Sequence, residues 1–183
     1  YGVIVLYGSL IDRWSKIKRL LLYGFMAVLL ISLVVFLEDY RYHAPLHGAS
    51  SMLYGRQEAV EYVSNIENQY NEIVFSRSLS EPHIYVAFYK KWDPQDYHNQ
   101  SPDWLRYEKE GRTFVDQLGE YRLGKYTFRS INYSKDKDLP NILLVGKPEE
   151  FPQNVASLNT IYYPNKKPAI LFVGSSNETI VQK

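Results

Sequence analysis

The chain contains no cysteine. Disulfides, thiolate nucleophiles and cysteine-ligated zinc are thereby excluded, and cysteine usage leaves the redox compartment open. An excess of either charge is also missing: 21 basic residues against 20 acidic ones leave a net charge of +1. That field is too weak to recruit nucleic acid or to steer an acidic substrate. No G-x-G-x-x-G follows an apolar run, and Gly146-Lys147 lacks the spaced glycine and the following Ser/Thr of a P-loop, so no nucleotide site is legible. The opening stretch from Tyr1 to Ile11 has no basic residues ahead of its apolar ones and does not read as a signal peptide. Internal repeats and low-complexity tracts are absent as well.

What is present is unevenly placed. Apolar residues crowd into the first forty positions, and Leu20 to Leu37 (LLLYGFMAVLLISLVVFL) carries no charge. At about 1.5 Å rise per residue this run is roughly 27 Å long, close to the thickness of bilayer hydrocarbon. Only Ser32 and Gly24 interrupt its greasiness, whereas the core helix of a soluble protein keeps a polar stripe. The run predicts a transmembrane helix over residues 20–38. Arg13, Lys16, Lys18 and Arg19 precede it, while Glu38 and Asp39 follow with only Arg41 nearby. This asymmetry predicts a cytoplasmic N-terminal flank and an extracytoplasmic chain from about residue 40 onward, with Trp14, Tyr40 and Tyr42 as interfacial anchors. Residues 1–11 are too few to cross alone. They are expected to finish a truncated preceding span, with residues 12–19 as a tight cytoplasmic loop, in a multi-pass protein of the cell membrane.

Beyond the span, residues 39–53 lack periodicity and read as a linker, 54–175 as an extracytoplasmic α/β domain and 176–183 as a tail. Ala59, Val60, Tyr62, Val63, Ile66 and Tyr70 recur at helical spacing. Ile73-Val74-Phe75 is a short β-prone run. Ser80 and Pro82 open a second helix reaching about Lys91, with Ile84, Tyr85, Phe88 and Trp92 as its expected inner face. Asp93-Pro94 is expected to halt it, and Trp104 to Leu118 shows weak helical character with turns at Gly111, Gly119 and Gly124. Tyr126 to Ile131, Asn141 to Val145, Ser157 to Tyr163 and Ala169 to Gly174 read as strands, the last two joined as a hairpin across Pro164 to Pro168. The fold class expected is a transmembrane helix plus an α/β domain, with a mixed sheet of about five strands and two or three helices.

Three stretches carry a resemblance. They are Tyr54-Gly-Arg-Gln-Glu-Ala-Val-Glu-Tyr-Val63 with Tyr70-Asn-Glu-Ile-Val-Phe75, then Pro82-His-Ile-Tyr-Val-Ala-Phe-Tyr89 with Trp92-Asp-Pro-Gln-Asp-Tyr97, then Leu143-Leu-Val-Gly146 with Pro148-Glu-Glu-Phe-Pro152, Ile161-Tyr-Tyr-Pro164 and Pro168-Ala169. Their order and spacing resemble the C-terminal outward domain of bacterial and archaeal membrane glycosyltransferases similar to the dolichyl-phosphate-mannose protein mannosyltransferases. The resemblance covers about residues 20 to 174. It implies inverting transfer of a sugar from a polyprenyl-phosphate donor at the outer membrane face. A carboxylate acts as general base, and a divalent metal often serves in the parent enzyme. It implies membrane lipid, the polyprenyl-phosphate-linked sugar and a protein or glycan acceptor as partners. The family's catalytic acids lie in the first outward loop, which this chain does not contain, so no catalytic residue is carried over. The alternative class is a membrane-anchored, non-catalytic binding module facing the cell envelope.

Candidate site residues follow from side-chain chemistry. Tyr85, Tyr89, Trp92, Tyr97 and Trp104, with Phe88, form an aromatic group able to stack on a sugar or lie against headgroups, or else to build a core. If any residues of the domain touch substrate, these five are expected to. His43 and His47 have the i, i+4 spacing of zinc ligands, but Pro45 between them is expected to break the helix, so no metal site is assigned. Asp93, Asp96, Asp103 and His98 make an acid-rich patch that helix termination and solvation explain without a cation. The fragment itself is expected to hold no cofactor.

Overall fold

A computed structural model describes residues 2–175, with side chains from residue 16 onward; the tail expected over 176–183 lies outside the described residues. The chain divides into two compact units, one up to His47 and one from Gly48.

The first unit is dominated by helix α1 (Gly2–Glu38), 37 residues long and therefore about 55 Å from end to end. Every described side chain from residue 16 to residue 47 is exposed, and the helix is long and apolar enough to cross a membrane. Residues 12–19, expected as a loop between two spans, are helical. They contain neither glycine nor proline, and their lysines and arginines are good helix formers. The linker expected over 39–53 is also largely helical. Asp39–His43 form a π-helical turn, followed by α2 (Ala44–Gly48) and a 3₁₀ turn over Ala49–Ser51. Pro45 thus does not break the helix. The amide of Ala44 donates to the carbonyl of Asp39, five residues back. This wider turn makes room where the proline ring would crowd the carbonyl of the preceding turn.

The second unit is a mixed α/β domain. Its six strands are β1 (Glu72–Ser76), β2 (Glu120–Leu123), β3 (Tyr126–Arg129), β4 (Ile142–Gly146), β5 (Asn159–Tyr162) and β6 (Pro168–Gly174), in the spatial order β2-β3-β1-β4-β6-β5. Strands β3, β1 and β4 are parallel, and β2, β6 and β5 pair antiparallel at the flanks. The expected mixed sheet is present, with six strands rather than about five. The extra one is β2, whose four residues sit between the glycine turns at Gly119 and Gly124. Gly124, at φ +58, turns the chain directly from β2 into β3, a conformation that side chains with a Cβ resist.

The central strands are buried on both faces, which is why they read as unbroken apolar runs. Ile73, Phe75, Leu143 and Val145 face one layer, built from helices α3 (Arg56–Ile66) and α4 (Pro82–Tyr89). Val74, Ile142 and Leu144 face the other, where Phe151 and Tyr133 pack, the latter from the short helix α7 (Tyr133–Asp136). Helix α3 buries Ala59, Val60 and Val63, the stripe its spacing predicts. Helix α4 differs. Pro82, His83, Tyr85 and Val86 are buried, whereas Ile84 and Phe88 are 53% and 73% exposed. Nearly every residue of this helix is apolar, so no stripe marks its inner side. Asp93-Pro94 ends one helix and starts another, α5 (Pro94–Gln100). The Asp93 carboxylate accepts from the amides of Gln95 and Asp96 at 2.8 and 3.2 Å, and proline fits the first helical position. A 3₁₀ turn (Pro102–Leu105), α6 (Arg106–Lys109) and a second 3₁₀ turn (Val115–Leu118) complete the stretch expected to be weakly helical.

Candidate functional site

The five aromatic candidates separate by burial. Tyr85 is 5% exposed, its hydroxyl donates to the Leu79 carbonyl at 3.4 Å, and the Arg56 guanidinium lies 5.7 Å over its ring. That leaves no face of Tyr85 for a ligand, and burial pushes its hydroxyl pKa up. Trp92 is half-buried, edge-on to Tyr126 with ring centres 6.0 Å apart. Tyr97 is half-buried against Trp104 at 5.3 Å. Tyr89 stands apart from these, exposed and edge-to-face with Phe88 at 5.1 Å. The structure thus brings Tyr97 and Trp104 together, places Tyr85 and Trp92 in a separate aromatic row with Phe75 and Tyr126, and leaves Tyr89 on the surface.

Trp104 forms the wall of a cleft. At the open edge of the sheet, beside β2, a space of about 390 Å³ is lined by Trp104 and Tyr121 with Gln100, Asp103, Arg106 and Arg122, a size within the roughly 300–1,000 Å³ typical of small-ligand sites. The Trp104 indole N–H donates to the Arg122 carbonyl at 3.2 Å, and Arg106 reaches the Glu120 carbonyl at 3.0 Å, so both side chains are held in place by β2. Carboxylate, amide and guanidinium groups around one opening present the planar acceptors and donors that pair with adjacent hydroxyls. Asp103, assigned above to a solvated loop, is therefore part of the cleft, whereas Asp93 is a helix cap. Among the described residues no group of three or more His, Cys, Asp or Glu could hold a metal.

Behind the cleft runs a buried polar chain that sequence spacing did not mark. The Tyr121 hydroxyl donates to Asp116, and His83 Nδ1 lies 2.8 Å from the same hydroxyl oxygen. With its own proton given to Asp116, Tyr121 can only accept from His83, which places the imidazole proton on Nδ1. Asp116 also accepts the Glu81 amide at 2.8 Å. Burial holds the His83 pKa below its usual value, although the Asp116 charge opposes this. Desolvation and the bond to Asp116 push Tyr121 up, so near neutrality the His83 imidazole is neutral and the Tyr121 hydroxyl keeps its proton.

A second cluster lies at the carboxyl ends of β1 and β4. Ser76 and Ser78 donate to the two oxygens of Glu150 at 2.5 and 2.6 Å, and the Lys147 amide donates to the same carboxylate at 2.9 Å. The sequence separations, 74 and 72 residues, hid this cluster from any local motif. The connection after β1 passes over the α4 face, while those after β3 and β4 pass over the opposite face. The carboxyl end of β1 is therefore a topological switch point, where α/β sheets open a crevice.

No protein family, no curated protein and no solved structure matches this chain.

Proposed function

We propose that the chain forms the last membrane span and the outward domain of a glycosyltransferase that draws its sugar from a polyprenyl-phosphate donor, with the domain capping the active site or holding the acceptor. The observation that carries this reading is the combination, on one chain, of a fully exposed apolar helix and a polar cleft walled by Trp104. Hydrocarbon is the solvent such a helix requires, and the Gln100, Asp103, Arg106 and Arg122 side chains of the cleft offer hydroxyl-pairing chemistry suited to a sugar-bearing acceptor. On this reading the domain faces away from the cytoplasm, in line with the distribution of lysine and arginine about the span. The general base and any divalent metal belong to an upstream region of a multi-pass parent.

The same cleft favours a second reading, a membrane-anchored glycan-binding module without catalysis. The reading frame upstream of Tyr1 separates the two. The transferase predicts several further hydrophobic segments and an acidic residue in the first outward loop, and a frame opening just before Tyr1 refutes it. Glycan-array binding by the full chain in nanodiscs, weakened by Asp103→Ala, is expected on both readings. A chain that binds no glycan removes the role given to the cleft.

A further inference from the structure

We propose that the segment Met52–Tyr54 and the hairpin between β5 and β6 form one docking surface for anionic phospholipid headgroups. This rests on α1 crossing a membrane and is independent of the transferase reading.

Contacts inside the domain join the two pieces of chain. Tyr54 packs on Tyr163, the residue after β5, with ring centres 5.7 Å apart. Gly55 follows at φ +75, and a Cβ there would lie 2.9 Å from the Ile161 side chain, so the backbone runs close against β5 before α3 begins. Beyond Tyr163 the hairpin closes tightly. The Tyr163 amide donates to the Lys167 carbonyl and the Lys166 amide donates to the Tyr163 carbonyl, each at 2.8 Å. Lys166 and Lys167 therefore sit within one turn of the residue whose ring Tyr54 touches.

One part of this surface is greasy and the other basic. Met52, Leu53 and Tyr54 are consecutive and 72%, 63% and 36% exposed. Lys166 and Lys167 are exposed, and among the described residues neither takes part in an ion pair. No acidic residue occurs in 48–55 or in 159–169; the nearest in sequence is Glu58, in the first turn of α3. Apolar and aromatic groups beside unpaired lysines have the composition of an interfacial anchor. The rings and alkyl chains leave water at headgroup depth, while each ammonium meets lipid phosphate.

Connectivity selects the bilayer as the occupant. The residues between α1 and Met52 form helical turns and, at about 1.5 Å each, amount to a tether of about 20 Å. A membrane crossed by α1 is thus presented to this surface at a high effective concentration, which no partner free in solution shares.

Because the chain has no cysteine, single fluorophores can test this. Leu53→Cys is labelled with bimane in the full chain, reconstituted into phosphatidylcholine nanodiscs with or without phosphatidylglycerol and with nitroxide-bearing lipid as quencher. Asn71→Cys is the control. Asn71 is exposed and precedes the amino end of β1, whereas the hairpin precedes β6, which runs antiparallel to β4 and starts beyond its carboxyl end. Quenching of the Leu53→Cys label is expected to be at least twofold stronger with phosphatidylglycerol than without it. Lys166→Gln combined with Lys167→Gln should remove that gain, and so should about 0.5 M salt, which screens the charges without any substitution. The Asn71→Cys label should show no gain. Equal quenching in both lipids overturns the proposal, as does a gain that survives the substitutions or the salt, or one matched by the control. A Leu53→Cys label shielded from lipid and from aqueous iodide alike also overturns it, and marks a second copy or another protein as the occupant. A full chain that stays dissolved without detergent or lipid sinks the span and this surface together. A chain that inserts but ignores lipid charge sinks the surface alone and leaves the upstream-frame test of the transferase untouched.

Discussion

A Cβ on Gly146 would lie 2.6 Å from Oε2 of Glu150 and 2.7 Å from Cδ1 of Ile131. A side chain at the last residue of β4 would therefore have to displace the Ile131 methyl and the Glu150 carboxylate, which Ser76, Ser78 and the Lys147 amide hold in place. Gly146→Ala is expected to destabilise the domain by about 1–3 kcal/mol through this overpacking. The midpoint of urea unfolding of the full chain in nanodiscs measures it, and an unchanged midpoint contradicts the close approach.

Glu150 joins the ends of two central strands by accepting three hydrogen bonds. Glu150→Gln replaces one acceptor oxygen with a donor facing hydroxyl or amide groups, at an expected cost of about 1–3 kcal/mol. Combined with Ser76→Ala, the loss should be less than the sum of the two single losses, because both substitutions remove the same bond. Strict additivity in the double-mutant cycle would show that the two groups do not interact.

Arg129 and Asp136 form a two-pronged pair, each prong 2.9 Å long, and Asp136 also accepts the Asn132 amide at 2.8 Å. Their side chains are 17% and 6% exposed, so removing one partner strands the other's charge. Asp136→Ala should cost about 3–5 kcal/mol, while replacing both by Arg129→Met and Asp136→Leu should recover most of that loss. A single substitution as mild as the double one would show the pair to be solvated.

Acid should weaken the domain in two windows. Desolvation of His83 holds its pKa below the ordinary 6.5 despite the Asp116 charge, so below that pH the unfolded chain takes up a proton that the folded one refuses. Stability is then lost as pH falls from 6.5 toward the lower folded value. Unfolding midpoints across this range should slope downward in the parent and flatten in His83→Asn.

Glu67 governs the second window. Its burial opposes charge, but hydrogen bonds from Lys90 and Tyr126 and the charges of Lys90 and Lys125 outweigh that and hold its pKa below 4.5. Its contribution is complete above that pH and disappears as pH falls through the depressed value. Glu67→Gln should lie below the parent at pH 6 and converge with it in strong acid. A constant gap between the two at all pH values would rule out the ionised pair as the cause.

Much of the fold was legible because local chemistry encodes it. The stripe of α3 and the apolar runs of β1, β3, β4 and β6 needed only side-chain periodicity. β2 was hidden because four residues between two glycines carry too little pattern. The inner face of α4 was hidden because its residues are nearly all greasy and only packing chooses among them. Of the aromatic candidates, Tyr85 and Trp104 are both buried, and only their place in the fold, Tyr85 under Leu79 and Arg56 and Trp104 at the cleft beside β2, separates them. His83, Asp116, Tyr121, Ser76 and Glu150 left no local signal at all.

The sequence by itself determined that a charge-free helix long and apolar enough to cross a membrane would form and that an α/β domain would follow, since hydropathy and period are properties of neighbouring residues. Only the tertiary structure decided the order of the strands, the switch point at the end of β1 and the groups gathered there. Those depend on contacts between residues more than seventy positions apart, whose free energy exists only once the sheet has brought them together.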